Sequence, residues 1–159
     1  MATRSGSVDP GLLLWLEAHE GLSPHEVAYA LEHESGLLGL ADTADMRELL
    51  GRQDHDARLA LEVYVHRLAS CVAAMTVSLG GLDAVVFTGG VGAASAAVRH
   101  AAADRLAHLG MRLDEAANAQ AEPDVDVSAD DADVRTLVVR SREDLEIAAG
   151  VEHLLAPHR

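Results

Sequence analysis

The sequence predicts an α/β fold that is rich in helix and poor in strand. Three observations carry this. Residues 9–80 hold apolar side chains at helical spacing, interrupted by glycine and proline punctuation. After residue 81 the pattern becomes strand, loop and helix, with an apolar run Val85-Val86-Phe87 entering the cluster Thr88-Gly89-Gly90-Val91-Gly92. A second short run, Thr136–Val139, precedes a final helical pattern. The expected organisation is one domain over 1–159, with a helical region 9–80 and an α/β region 81–159.

The elements follow in order. Asp9-Pro10 opens the first helix, Asp9 as N-cap and Pro10 at the first helical position, and Gly21 closes it. Ser23-Pro24-His25-Glu26 opens the second as a capping box. Ser35–Leu40 reads as a break, and Asp42–Leu50 as a short helix closed by Gly51. The longest helix spans about Asp54 to Leu79, its buried face formed by Leu61, Val65, Leu68, Val72, Met75 and Leu79. Ala84–Thr88 is expected to be a strand buried on both faces. A helix from about Ala93 to Leu109 follows, then a short helix over 114–120 and an acidic loop over 121–133 with at most a short strand. Thr136–Val139 is the second buried strand. Ser141 caps the last helix, with Leu145, Ala148, Val151 and Leu155 as its inner face. Two firm strands are fewer than an independent sheet normally has.

Composition narrows the function. The formal net charge is -14, and all 12 basic residues are arginine, scattered without a basic stripe. Aromatic residues are 3%, too few to stack bases, so a nucleic-acid partner is not expected. No apolar run of membrane-spanning length stands out, and a cytoplasmic protein without a membrane partner is expected. The single cysteine, Cys71, reads as a buried, inert thiol. The nine histidines show no zinc-ligand spacing, and neither a Walker A lysine nor a Gly-x-Ser-x-Gly elbow occurs.

Four segments carry candidate chemistry. Arg4, in a loop of small residues before a capped helix, either reaches a carboxylate or phosphate with its planar fork or is solvated on a mobile terminus. Asp45-Met46-Arg47 follows Gly36-Leu37-Leu38-Gly39-Leu40 and reads either as a ligand edge or as a polar helix start. The cluster Gly90-Val91-Gly92-Ala93-Ala94 is either a phosphate-side loop, where glycine lets the backbone approach an anion, or a tight strand-to-helix turn. Glu143, just after a strand, lies where α/β sheets hold their ligands and suits magnesium; the plainer reading is an acidic helix start.

Together and in this order, the segments resemble the acetate kinase family (acetate and propionate kinases). Thr3-Arg4-Ser5-Gly6-Ser7-Val8-Asp9-Pro10 is similar to its Thr-Arg-x-Gly-Asp-x-Asp-Pro segment. Ser35–Leu40 with Asp45-Met46-Arg47 is similar to its Ser-Gly-Leu-Leu-Gly…Asp-Met-Arg region. Leu82–Ser95 resembles its Phe-Thr-x-Gly-Ile-Gly-Glu-Asn-Ser loop. Arg99, Leu109–Asp114 and Glu143–Ala148 continue the match. The resemblance implies the acetate and sugar kinase/Hsp70/actin (ribonuclease H-like) fold and phosphoryl transfer between ATP and acetate or another short carboxylate. It implies that Arg4 stabilises the phosphoryl group in transit. Asp45, Met46 and Arg47 border the adenosine, Gly90, Val91, Gly92, Ala93 and Ala94 form the nucleotide loop, and Glu143 helps hold Mg2+. ATP/ADP and Mg2+ are the implied cofactors, with a homodimer as the assembly.

The departures are as informative as the matches. Ala93-Ala94 stands where the family has Glu-Asn, and Ser7 where it has Asp. Every matching segment belongs to the family's carboxyl-terminal part. The acetate-binding arginine, catalytic aspartate, phosphoryl-facing histidine and first phosphate loop have no counterpart here. The resulting expectation is a nucleotide-side half that is inactive alone and is completed by an amino-terminal half. The alternatives are a non-catalytic adenine-nucleotide-binding or dimerisation module, or a truncated gene remnant.

Overall fold

A computed structural model describes residues 2–155, so both ends of the expected 1–159 domain lie outside the described residues. The chain divides into two compact units, Met1–Cys71 and Val72–Arg159.

The first unit is helical. α1 (Pro10–His19) is capped by Asp9, whose side chain accepts from the Gly11 amide, with Pro10 in the first turn. α2 (Pro24–His33) carries the expected capping box between Ser23 and Glu26. Residues 35–41 are not the expected break: α3 (Gly36–Ala41) forms there, entered through Gly36 at φ 64 and left through Asp42 at φ 56. Glycine and a left-handed aspartate punctuate both ends of a real helix, whose buried Leu37 and Ala41 supply the packing. α4 (Met46–Gly51) starts later than expected, with Asp45 as its N-cap. α5 (His55–Leu79) matches its expected span.

The fully buried face of α5 agrees with the expected one only at Val65. Its buried residues are Ala57, Ala60, Val65 and Ala69, whereas Met75, Val77 and Leu79 are exposed, Val77 at 85%. The enclosed positions are three alanines and one valine between residues 57 and 69, and Val27, Leu37, Met46 and Leu49 are further buried apolar residues of this unit. Cys71 is exposed, not buried as expected, although Ala69 two residues before it is buried. By length and composition α5 is also apolar enough to cross a membrane. Its four charged residues, Asp56, Arg58, Glu62 and Arg67, lie in its first half, and a single helix of this kind is weak evidence for a membrane span.

The second unit holds a three-stranded mixed sheet in the order β1-β3-β2. β1 (Ala84–Phe87) pairs in parallel with β3 (Arg135–Val138), and the two-residue β2 (Val125–Asp126) pairs antiparallel with β3. The strands are not buried on both faces. Val85, Phe87, Thr136 and Val138 point inward, while Val86 is 52% exposed. Alternation replaces the continuous burial that the apolar run suggested.

The expected 93–109 helix is divided. α6 (Gly89–Ala94) and α7 (Ala96–Leu106) meet at Ser95, and a 3₁₀ turn, Ala107–Leu109, follows. Ser95 breaks the run with extended backbone, and its side chain caps α7 by accepting from the Val98 amide. α8 (Glu115–Ala119) is capped by Asp114. α9 (Glu143–Leu155) has no buried residue, so the expected inner face of Leu145, Val151 and Leu155 is exposed.

Gly110 turns the chain out of the 3₁₀ turn at φ 90, and its carbonyl accepts from the amides of Asp133 and Val134. A Cβ there would lie 2.7 Å from the Asp133 Cβ. Gly110→Ala is therefore expected to destabilise the fold by about 1–3 kcal/mol, read as a lowered midpoint in urea unfolding.

Candidate functional site

Arg4 sits on a pinned segment, not a mobile tail. The Ser5 amide donates to Leu31 O at 2.9 Å, and the Thr3 hydroxyl donates to Glu32 O at 3.0 Å. The Ser35 amide donates to Thr3 O at 2.9 Å, and the Leu38 amide to Ala2 O at 3.0 Å. The carbonyls ending α2 and the amides opening α3 lack helical partners, and residues 2–5 satisfy them. Fixed backbone thus carries a side chain that is 70% exposed, with a 3.8 Å contact to Glu32 as its ion pair.

In the same unit Asp45 and Arg47 hold each other. Asp45 Oδ1 accepts from the Arg47 amide at 2.8 Å and from Nε at 3.1 Å, and Oδ2 accepts from Nη2 at 2.7 Å. The Arg47 side-chain hydrogen bonds, followed by its amide, hold the Asp45 carboxyl at about 2. Met46 is buried among the core residues, so only its two neighbours present polar groups to solvent.

The second unit brings two candidate segments to one sheet edge. β1 and β3 run in parallel and in register from Ala84↔Arg135 to Phe87↔Val138, and the Val139 amide donates to Phe87 O at 2.9 Å. The β1–α6 connection and the β3–α9 connection therefore leave from the same carboxyl edge, the place where open α/β sheets hold ligands. Gly89 takes φ 70, which glycine adopts without strain. Gly90 is exposed and a Cβ there would meet nothing within 4 Å, while a Cβ at Gly92 would rest about 3.5 Å from Phe87. Val91, Gly92 and Ala93 are half-buried and Ala94 is exposed. Residues 90–94 thus form a short helix instead of the expected open loop.

Glu143 opens α9 and is exposed, accepting from the Ser141 hydroxyl at 3.1 Å. The turn leading to it is fixed by Asp124, which accepts from the Arg140 amide at 2.7 Å and from Arg142 Nη2 at 3.3 Å. The Arg140 amide bond is the main reason the Asp124 carboxyl lies below its ordinary value. Among the described residues no group of three or more histidine, cysteine, aspartate or glutamate side chains gathers to hold a metal. The donor set is one hard carboxylate beside an open surface. That suits an ion such as magnesium, which keeps several waters and takes other oxygens from a phosphate.

Two buried side chains lie behind this turn, Arg99, read in the sequence only as part of the match, and Asn118, which was not read at all. Arg99 is 1% exposed and donates through Nη1 to Gly92 O and Ala93 O, at 2.9 and 2.8 Å. Its Nε and Nη2 donate to the Oδ1 and the carbonyl oxygen of Asn118 at 2.7 and 2.8 Å. An arginine amid alanines was the available signal, and its direction depends on α8, 19 residues away.

The strand, glycine turn and short helix at a shared carboxyl edge are those of the acetate and sugar kinase/Hsp70/actin type of fold. A solved propionate kinase from Francisella tularensis superposes with a TM-score of 0.87 at 35% identity, covering 93% of this chain and 38% of its own. Acetate kinase from Porphyromonas gingivalis gives 0.88 at 31% identity, covering 98% of this chain and 40% of its own. Among curated relatives, the acetate kinase of Deinococcus deserti is 49% identical over 98% of this chain and 40% of the relative. The family model for the acetokinase family matches residues 1–149, and the chain belongs to that family. It spans about 40% of the length of the relatives it matches.

The Asp45–Arg47 pair makes a pH prediction. A carboxyl held at about 2, against an ordinary 3.8, binds its proton less readily folded than unfolded. Its contribution to stability is therefore present above the unfolded value and is lost as pH falls through about 2. Arg47→Ala is expected to return the Asp45 titration toward 3.8, followed residue by residue by carboxyl-carbon NMR.

Proposed function

We propose that this chain supplies the nucleotide-side portion of an acetate kinase-type phosphotransferase, binding ADP or ATP at the carboxyl edge of β1 and β3. The observation that carries this is the β1–Gly89–α6 turn, open at Gly90, within a chain matched by the acetokinase family along residues 1–149. The reaction of the completed enzyme is ATP + acetate ⇌ ADP + acetyl phosphate, with acetate or another short carboxylate as acceptor. The chain alone does not turn over, because the groups that hold the carboxylate are not among its matched segments.

Phosphoryl transfer depends on positioning and on neutralising charge over the moving group. By the family resemblance, the backbone of Gly90, Val91, Gly92, Ala93 and Ala94 in the second unit is the phosphate-side segment, and in the first unit Asp45 and Arg47, with the buried Met46 between them, are the adenosine-side residues. The Arg4 guanidinium, in only a long contact with Glu32, is the side chain assigned to the phosphoryl group in transit, whose oxygens suit its planar fork. Glu143 is the carboxylate that would hold Mg2+, directly or through water. The ion, when bound, offsets the charge of the phosphate chain. The setting is cytoplasmic, where ATP and short carboxylates occur together.

Titration calorimetry tests this reading directly. The chain is expected to bind Mg-ADP saturably. Gly90→Asp, which places a carboxylate in open space without disturbing packing, is expected to weaken binding about tenfold or more. A folded chain indifferent to Mg-ADP would overturn the proposal.

We also propose a homodimer formed through α5, whose exposed Leu59, Met75, Val77 and Leu79 favour an apolar contact. Light scattering after size exclusion is expected to give twice the 16.7 kDa chain mass, falling to the monomer for Val77→Glu.

A further inference from the structure

The segment after β1 is poorly equipped to hold its own shape. Three of the six residues of α6 are glycine, and Thr88 at its N-cap makes no side-chain capping bond. A helix this short and this glycine-rich does not persist on local propensity. The Ser95 amide returns to Val91 O, which leaves the carbonyls of Gly92 and Ala93 at the end of α6. Those are the two carbonyls that Arg99 Nη1 reaches, from the first turns of α7.

The other side of the guanidinium is fixed just as firmly. Asn118 on α8 accepts from Nε and Nη2, and its own amide Nδ2 donates to Ala96 O at 3.1 Å. One buried fork therefore ties the end of α6, the start of α7 and α8 together. All four acceptors are neutral amide oxygens, so the positive charge stays uncompensated by any carboxylate among these partners. Hydrogen bonds from a charged donor in a buried setting are strong ones, and a guanidinium stays charged there.

We infer that Arg99 is a positioning residue for residues 89–94: it sets the backbone that faces the nucleotide while touching no ligand itself. This rests on the nucleotide reading above. Arginine is specific to the role, because the planar fork spans Gly92, Ala93 and Asn118 at once, whereas a lysine ammonium is a single point donor.

The experiment uses the full chain, Arg99→Lys and Asn118→Leu. It combines Mg-ADP calorimetry with residue-resolved amide exchange. Arg99→Lys is expected to keep the far-ultraviolet circular dichroism of the wild type and to weaken Mg-ADP about tenfold. Exchange is expected to quicken at residues 89–96 while Val85–Phe87 and Arg135–Val138 stay protected. Asn118→Leu, which keeps the guanidinium but removes one acceptor, is expected to shift both readouts the same way by less, and stands in if Arg99→Lys does not fold. Unchanged affinity in a folded variant, or exchange that quickens evenly through 72–155, overturns the positioning role. A wild-type chain that ignores Mg-ADP overturns the nucleotide reading, and the exchange pattern then decides alone whether Arg99 holds the segment.

Discussion

A guanidinium buried without a counter-charge is costly, and the second unit is arranged around meeting that cost. Arg99 spends its Nε and both terminal nitrogens on four oxygens, two from the end of α6 and two from Asn118. Burial holds its pKa below the ordinary value, yet the charge remains. Removing any one acceptor leaves a charged donor unsatisfied in a place water does not reach, which is worse than never having formed the network. The glycine-rich segment, the break at Ser95 and the small helix α8 therefore stand or fall together. Alanine packing around them, with Ala102 and Ala103 buried, gives little dispersion energy to compensate if the fork is lost.

Capping chemistry was the most legible part of the sequence. Asp9-Pro10, Ser23-Pro24-His25-Glu26 and Asp114 each started a helix where local hydrogen bonding dictates one. The signals are local, so the structure has no means to overrule them cheaply. Burial was less legible. The apolar stripe on α5 runs its whole length in sequence, but only alanine and valine between residues 57 and 69 are enclosed. Which turns of an amphipathic helix find a partner is a property of the other elements. The same holds for α9, whose leucines have helical spacing and no cover among the described residues.

The strands show a different limit. Val85-Val86-Phe87 looks identical whether a strand is covered on one face or two. The alternation in burial, with Val86 outward, comes from what lies against the sheet. The site was partly legible for a related reason. Glycines announce that the backbone will do something unusual, and Gly89 does. They do not say that residues 90–94 coil into a helical turn, because that depends on Arg99 and Asn118, which lie beyond any local window.

Electrostatics decides which arginines can serve an anion. The chain carries a net charge of -14, so its long-range field repels any anion and attraction to one must be local. Arg47 is committed to Asp45 through both ends of its fork, Arg52 likewise to Asp54, and Arg99 is buried. Redirecting any of these breaks short, well-aligned bonds. Arg4 differs: its ion pair with Glu32 is 3.8 Å long and both side chains are largely exposed, the kind of pair that contributes little. Its backbone, by contrast, is fixed by the ends of α2 and α3. Under the proposed function, a rigid base beneath a loosely held guanidinium suits a moving phosphoryl group, because the charge is near at hand yet free to follow the oxygens as they shift.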